Sequence, residues 1–517
     1  VFARLLLALL LMPCVIAAQQ ADIKVIGGMV HDGNGGPPIR ADVVVRGDSI
    51  VFVGDASSWS AKLVIDATGK VVAPGYIDPH VHAGGDLSSG DRARRQAAFA
   101  LMQGVTTVII GNDGQGTADV AGTMARFERD SIGVNVGMLV GHGYLRARVV
   151  GSDDREPTRA ELDSMRVLVE KAMREGALGL SSGLYYAPGS FATTDEVVEL
   201  AKVAARFGGV YDSHIRDESS YSTGLLASIR EALDVGRRSG IRVNISHVKA
   251  LGVDVHGQAG AIIALIREAL ADGVRVTADQ YPWTASSTGL SSALLPRWSE
   301  AGGRAALLAR LDNPETAERI VVEMRENLRR RGGAESLLLT GTSIPEPARS
   351  LIVGHTLAER AAWTGREPVA AALGIIRDGS ASVASFNMIE DDIELLMGQP
   401  FVMTGSDGSG GHPRKYATYP RKLRRYVLER GVISLERMIQ SSTSQVADVF
   451  GLARRGRICI GCHADLIVFD PAAVRENATY TEPELLASGM SWVLVNGVPA
   501  VANGELTGEL AGRAVRR

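Results

Sequence analysis

Possible metal ligands recur along this chain in a fixed order, each at the end of an apolar run. They are His80 and His82 in Ile77-Asp78-Pro79-His80-Val81-His82, Asp113 after Val108-Ile109-Ile110, His214, His247, and Asp407 after Met403-Thr404. Strand residues two apart project from the same face, so His80 and His82 can reach one cation. Neutral imidazole suits zinc and similar metals, and carboxylate can complete the set. An isolated His-x-His pair reads most simply as two hydrogen-bonded strand histidines. Four further strand ends that supply imidazole or carboxylate favour a metallohydrolase centre instead.

The elements that must position these groups follow one rhythm. Apolar runs at 71–77, 105–110, 134–140, 177–180, 210–211, 243–245, 274–277 and 401–403 alternate with segments of helical period. Thr193-Thr194-Asp195-Glu196 opens one such helix as a capping box, with Thr193 as cap and Glu196 reciprocating, and Gly208-Gly209 stops it. Another helix carries Leu226, Ile229 and Leu233 on one face before Gly240. Eight strand–helix units predict an α/β fold, a (β/α)8 TIM barrel whose chemistry gathers at the carboxyl ends of the strands. Strand patterns at 23–26, 42–45 and 50–53, and again at 464–469 and 492–495, predict a small β-sandwich built from both chain ends. The expected division is 21–70 and 451–517 for the sandwich and 71–450 for the barrel, with an insertion at about 288–350 where the rhythm breaks.

Further segments narrow the reading: Gly104-Val105-Thr106-Thr107-Val108, Gly141-His142-Gly143-Tyr144-Leu145-Arg146, Ser181-Ser182-Gly183-Leu184-Tyr185-Tyr186-Ala187-Pro188-Gly189, Ser213-His214-Ile215-Arg216 and Ile245-Ser246-His247-Val248-Lys249. With the ligand order, they resemble the amidohydrolase superfamily and, within it, the N-acyl-D-amino-acid deacylases, from about Asp22 to nearly the C-terminus. The resemblance implies one or two zinc ions, or another divalent metal, at His80, His82, Asp113, His214, His247 and Asp407. It implies hydrolysis of N-acyl-D-amino acids, or of dipeptides ending in a D-residue, by a metal-activated hydroxide. Asp407 would shuttle the proton from water to the leaving amine. Such a substrate carries a free carboxylate, which guanidinium, ammonium and hydroxyl donors suit. Arg414, Lys249, Tyr281 and Ser287 match the family positions that bind it.

One departure stands out. The deacylase loop after the second strand usually reads Gly-Asn-Cys-Gly, with the cysteine a metal ligand, whereas this chain has Gly111-Asn112-Asp113-Gly114. Carboxylate is a harder ligand than thiolate, which bears on metal preference. Asp113 can be read as that ligand or as a cap for the following helix. A cyclic-amide hydrolase is the alternative reaction, and it would not require Arg414 and Lys249 to converge on a carboxylate.

The remaining features set outer limits. A chain of 517 residues with 45% hydrophobic content buries a large core, and a net charge of −3 without a sizeable basic cluster argues against a nucleic-acid partner. A small N-acyl amino acid or dipeptide is the expected partner. Residues 1–20, with Arg4 before an apolar run and Ala17-Ala18 before Gln19, read as a signal peptide, which predicts export to a bacterial periplasm. No segment is long and apolar enough for a stable membrane span. Cys459-Ile460-Gly461-Cys462-His463 matches a c-type haem attachment pattern, so an exported haem or metal-binding protein is the non-enzymatic alternative. The surrounding strand–turn–strand pattern favours a disulfide loop or two thiols.

Overall fold

Eight parallel strands alternate with helices along the chain in the computed structural model, which describes residues 19–517. The strands are β1 (Tyr76–Asp78), β2 (Val105–Ile110), β3 (Asn135–Gly141), β4 (Gly179–Gly183), β5 (Val210–His214), β6 (Arg242–Ile245), β7 (Val276–Gln280) and β8 (Val402–Thr404), paired in chain order as one sheet. The seam between β8 and β1 is closed just beyond the strand ends. Asp407 donates its N–H to the His80 carbonyl at 2.8 Å and His82 donates to the Gly408 carbonyl at 2.9 Å. Closure of the barrel and assembly of the site therefore use the same residues.

Helices pack outside by their apolar stripes. In Thr194–Arg206 the stripe is Val197, Leu200, Ala201 and Ala204, and in Leu225–Ser239 it is Leu225, Ile229, Ala232 and Leu233, all buried. Each Leu or Ile side chain buried there contributes about 1.5–3 kcal/mol, so Ile229→Asp would detach its helix. Thr193 caps the first of these as expected, accepting the Glu196 N–H at 3.3 Å. The reciprocal half of the capping box is not made. Glu196 turns inward to His142 at 2.9 Å and to the buried Arg146, whose charge needs an anion more than the helix start needs a second cap.

The expected first strand at 71–77 is in fact two. Val71–Pro74 pairs with Leu466–Phe469 in the end-domain sheet, and only Tyr76–Asp78 enters the barrel. The break falls at Gly75, where a Cβ would lie 2.2 Å from the Thr106 hydroxyl. The apolar run is continuous because both halves are buried.

Strands from both chain ends form one nine-stranded sheet, joined where Val72 pairs with Val468. Ile23, Val25 and Val43 from one end and Leu466, Val468 and Leu494 from the other share an apolar cluster. The sheet begins at Gln19, so Gln19 and Gln20 pair with Trp59 and Ser60 rather than preceding the fold, while the signal-peptide reading of residues 1–18 lies outside the described residues. Buried polar groups tie this domain to the base of the barrel. Asp465 pairs with Arg455 and accepts from Asn135 at the start of β3, and Asn496 bonds Arg455 and Asn135 at 3.0 and 2.7 Å.

The insertion is larger than the expected 288–350. Strands Ala285–Gly289, Ala381–Phe386 and Leu337–Thr342 form an antiparallel sheet with Ala381–Phe386 in the middle, backed by helices such as Pro314–Arg330 and Pro368–Asp378 over a separate core of Leu294, Ile320, Met324, Leu339, Val369 and Val383. Without the middle strand the outer two would have no partner, so the unit extends to about 386. It stands beside the mouth of the barrel. Among the described residues, no helix is long and apolar enough to cross a membrane.

Candidate metal centre

Each ligand candidate sits at or just past the carboxyl end of a barrel strand, where the fold turns side chains into a common mouth. His80 and His82 follow β1, Asp113 follows β2, His214 ends β5, His247 follows β6 and Asp407 follows β8. Asp113, His247 and Asp407 all have left-handed backbone, with φ of 55°, 36° and 46°. Non-glycine residues hold that conformation at a cost of about 1–3 kcal/mol each, and such strain concentrates at functional sites. Gly114 makes the first of these turns possible. Its φ is 74°, and a Cβ would lie 3.0 Å from the backbone nitrogens of Gly143 and Gly183.

Two groups of ligand atoms result, His80–His82–Asp113–Asp407 and Asp113–His214–His247, with Asp113 common to both. Asp113 Oδ1 lies 3.5 Å from His80 Nε2, His214 Nδ1 and His247 Nε2, and its Oδ2 lies 3.3 Å from His82 Nε2. Asp407 Oδ1 lies 3.3 Å from His82 Nε2 and 3.6 Å from His80 Nε2. Nitrogen and oxygen ligands held about 2.0–2.1 Å from a tetrahedral zinc stand about 3.4 Å apart, which these spacings match. Both ring nitrogens of His80 and of His214, and Asp113 Oδ1, are buried without a hydrogen-bond partner. Buried polar atoms are normally paired, so the residues fit a cation bound among them. The helix that follows, Val120–Asp130, is capped by Asp119, which leaves Asp113 free for the centre.

The surroundings orient these ligands. The Lys249 ammonium and a Glu218 oxygen lie 2.8 and 3.1 Å from His247 Nδ1, so its Nε2 faces Asp113. Beneath the ligands, Asn244 donates to Asp212 and Asp279 at 2.8 and 2.7 Å, Asn112 donates to Asp212, and Asp279 and Asp78 accept the N–H groups of His247 and His80. Burial pushes Asp78 up to about 6. Burial would also depress the histidines, but Asp113 and Asp407 outweigh it at His82, raised to about 9, and Asp407 and Glu218 outweigh it at His247, raised to about 10. At His214 burial prevails and the pKa falls. Asp407 is buried too, yet Arg414 and His247 hold it well below the usual carboxylate range, so it is ionised.

The four residues expected to hold a substrate carboxylate all line the same cavity, of about 1390 Å³. Arg414 forms an ion pair with Asp407 at 2.9 Å, and its buried Nε has no acceptor. The Tyr281 ring lies against both cations, 4.6 Å from the Arg414 guanidinium carbon and 5.6 Å from the Lys249 nitrogen, and its hydroxyl is buried and unpartnered. Ser287 is half-buried on the insertion strand Ala285–Gly289. Lys249 is already engaged by Glu218 and His247. Cys459 and Cys462 are joined in a disulfide on the end domain, which leaves neither sulfur for a haem thioether and removes the haem reading.

The amidohydrolase family profile matches residues 63–278 and 317–501. The chain belongs to the amidohydrolase family. Among its relatives, the D-aminoacylase of Alcaligenes xylosoxydans xylosoxydans is 34% identical, with 97% of this chain and 98% of that protein covered. The N-acyl-D-glutamate deacylase of the same organism is 34% identical over 93% of each chain. The crystal structure of an N-acyl-D-glutamate deacylase from Bordetella bronchiseptica, complexed with zinc and a phosphonate inhibitor, superposes with a TM-score of 0.82 at 32% identity, covering 96% of this chain and 100% of that one. Residues outside any ligand motif also surround the centre. Glu218 was visible as an acid four residues past His214, and Asp279 as an acid at the end of β7. Nothing in the local sequence distinguishes Asn112, Asp212 and Asn244 from ordinary strand polar residues.

Proposed function

We propose that this amidohydrolase is a metal-dependent N-acyl-D-amino-acid deacylase. The observation that carries the reading is the pair of ligand groups sharing Asp113 beside an ionised Asp407 and an Arg414 with an open donor, in a chain similar over nearly its whole length to enzymes named for that reaction. His214, His247 and Asp113 hold one divalent ion such as zinc, and His80 and His82, with Asp113 and Asp407, offer a second position. When bound, the ion supplies a hydroxide near neutral pH and polarises the amide carbonyl.

The chain's own groups do the rest. Asp407 accepts the proton of the attacking water and returns it to the leaving amine nitrogen, which makes the amine a neutral leaving group. Arg414 holds Asp407 ionised and, through its free Nε, takes the substrate α-carboxylate together with the hydroxyls of Tyr281 and Ser287, while the three donors of Lys249 are already taken by Glu218 and His247. Glu218 and Lys249 fix the ring of His247. The test is a panel of N-acetyl-D and N-acetyl-L amino acids, dipeptides ending in a D-residue and a hydantoin, assayed on zinc-loaded protein. Preferential turnover of the D-series supports the reading, and turnover confined to the hydantoin overturns it. Export rests on the sequence pattern of Arg4 before an apolar run and Ala17-Ala18, and is supported by the Cys459–Cys462 disulfide, since such bridges persist in oxidising compartments. Cell fractionation tests it, and a reduced, cytoplasmic protein would contradict it.

A further inference from the structure

Three cations with buried side chains face the cavity, and two have an anion beside them: Lys249 has Glu218 and Arg414 has Asp407. The third, Arg331, is 2% exposed and hydrogen-bonds only neutral groups. Its Nε donates to the Ala293 carbonyl at 3.0 Å, its Nη1 to the Ser385 hydroxyl at 3.1 Å and its Nη2 to the Tyr185 hydroxyl at 3.1 Å. A guanidinium carries five N–H donors, so two remain. A buried charge with no counter-anion is costly unless something supplies one. Among the described residues, the cavity carboxylates not already committed to the metal centre or its cations are Glu482 and Glu484, both exposed.

The wall between Arg331 and the metal centre is suited to a small polar group. Tyr185, which accepts from Arg331, stacks on the ligand His214 with ring centroids 5.7 Å apart. Thr288, Thr340 and Ser382 contribute small hydroxyl-bearing side chains from the insertion sheet to the same cavity. Resting on the deacylase reading above, we infer that Arg331 forms an anion subsite for a second carboxylate of the substrate, distinct from the α-carboxylate held at Arg414. That carboxylate belongs either to the D-amino-acid side chain, as in an N-acyl-D-glutamate or N-acyl-D-aspartate, or to the far end of the acyl group. A guanidinium opposite a carboxylate favours the acid over its amide, so acidic substrates are preferred to their isosteres.

The experiment compares kcat/KM within two isosteric pairs on zinc-loaded protein: N-acetyl-D-glutamate against N-acetyl-D-glutamine, and N-succinyl-D-leucine against its terminal amide. A charge-assisted hydrogen bond corresponds to about a tenfold or greater preference for the acid in the pair whose carboxylate reaches Arg331. Arg331→Met should collapse that ratio toward one, and Arg331→Lys should retain part of it. If the side chain does no more than tie the insertion to the barrel, Arg331→Met lowers thermal stability and leaves the ratio unchanged, which overturns the proposal. So does an acid-to-amide ratio near one in both pairs of the unaltered enzyme, a measurement that needs no variant to fold. Failure of the deacylase reading looks different, since none of the four substrates would then be hydrolysed.

Discussion

At the base of the barrel Asp465 pairs with Arg455, Asn496 bonds both of them and Asn135 bonds Asp465 and Asn496, so no fully buried side-chain polar atom of that cluster lacks a partner. At the mouth, by contrast, His80, Asp113 and His214 keep buried polar atoms unpaired, and three of the site residues have left-handed backbone. Both clusters are polar and buried, and both join elements distant in sequence. The difference is that the first is complete in itself and the second is complete only with a ligand. A satisfied network spends its interactions on holding the end domain to the barrel, and an unsatisfied one keeps them for binding and chemistry. The same division runs along the strands, with stability at their amino ends and reactivity at their carboxyl ends.

Mutation at the two ends should therefore break different properties. Asp407→Asn is expected to cost about 10²–10⁴ in turnover as a lost proton shuttle, with metal retained at His214 and His247. Near-normal turnover in a metal-replete variant would remove Asp407 from that role. At the base, Asp465→Ala leaves Arg455 buried without an anion and should cost roughly 3–5 kcal/mol of stability by denaturant titration, with turnover per folded molecule unchanged. If Asp465→Ala instead lowered turnover as much as stability, the two clusters would not be independent.

Asp113 couples the two metal positions, because it alone belongs to both ligand groups. Asp113→Ala should lose metal on dialysis from both positions, whereas Asp113→Cys restores a donor and should retain more. Equal retention by Asp113→Ala and the parent would make Asp113 structural. A smaller effect is expected at the carboxylate clamp. Arg414→Met should weaken kcat/KM for an N-acyl-D-amino acid by about 2 kcal/mol more than for the corresponding α-amide. Equal loss on both would indicate a displaced Asp407 rather than a missing clamp.

A last effect concerns pH. In metal-free protein His82 is raised to about 9 and His247 to about 10, against about 6.5 for an unfolded histidine. Groups raised in this way contribute stability that is fully present below about pH 6.5 and is lost as pH climbs through 9 to 10. Metal-free protein should thus show a Tm that falls across that window, while bound metal, which replaces those protons, should flatten the dependence. A metal-free Tm that rises between pH 7 and 10 would contradict the assignment.

The mouth was far more legible in the sequence than its supports. His80 and His82 announce themselves by their two-residue spacing, and His214, His247 and Asp407 by standing where apolar runs end. Those are local signals. The break at Gly75 was hidden because the residues on both sides are buried and apolar, although they serve different sheets. The sequence pattern ends the insertion too early because four of the six residues of Ala381–Phe386 are Ala or Ser, and the strand acquires its role only between two partners far away in sequence. Glu196 was misplaced for a related reason. The capping motif is local, and the buried Arg146 that claims its carboxylate is 50 residues away. Arg331 had no local signature at all.

Metal dependence and stereochemistry are tested together by a zinc titration of chelator-stripped protein, with metal content and hydrolysis of N-acetyl-D- and N-acetyl-L-amino acids followed in parallel. Turnover should be absent without metal. On the D-series it should return as zinc binds. Turnover that survives metal removal, or that returns equally on the L-series, would contradict the deacylase reading.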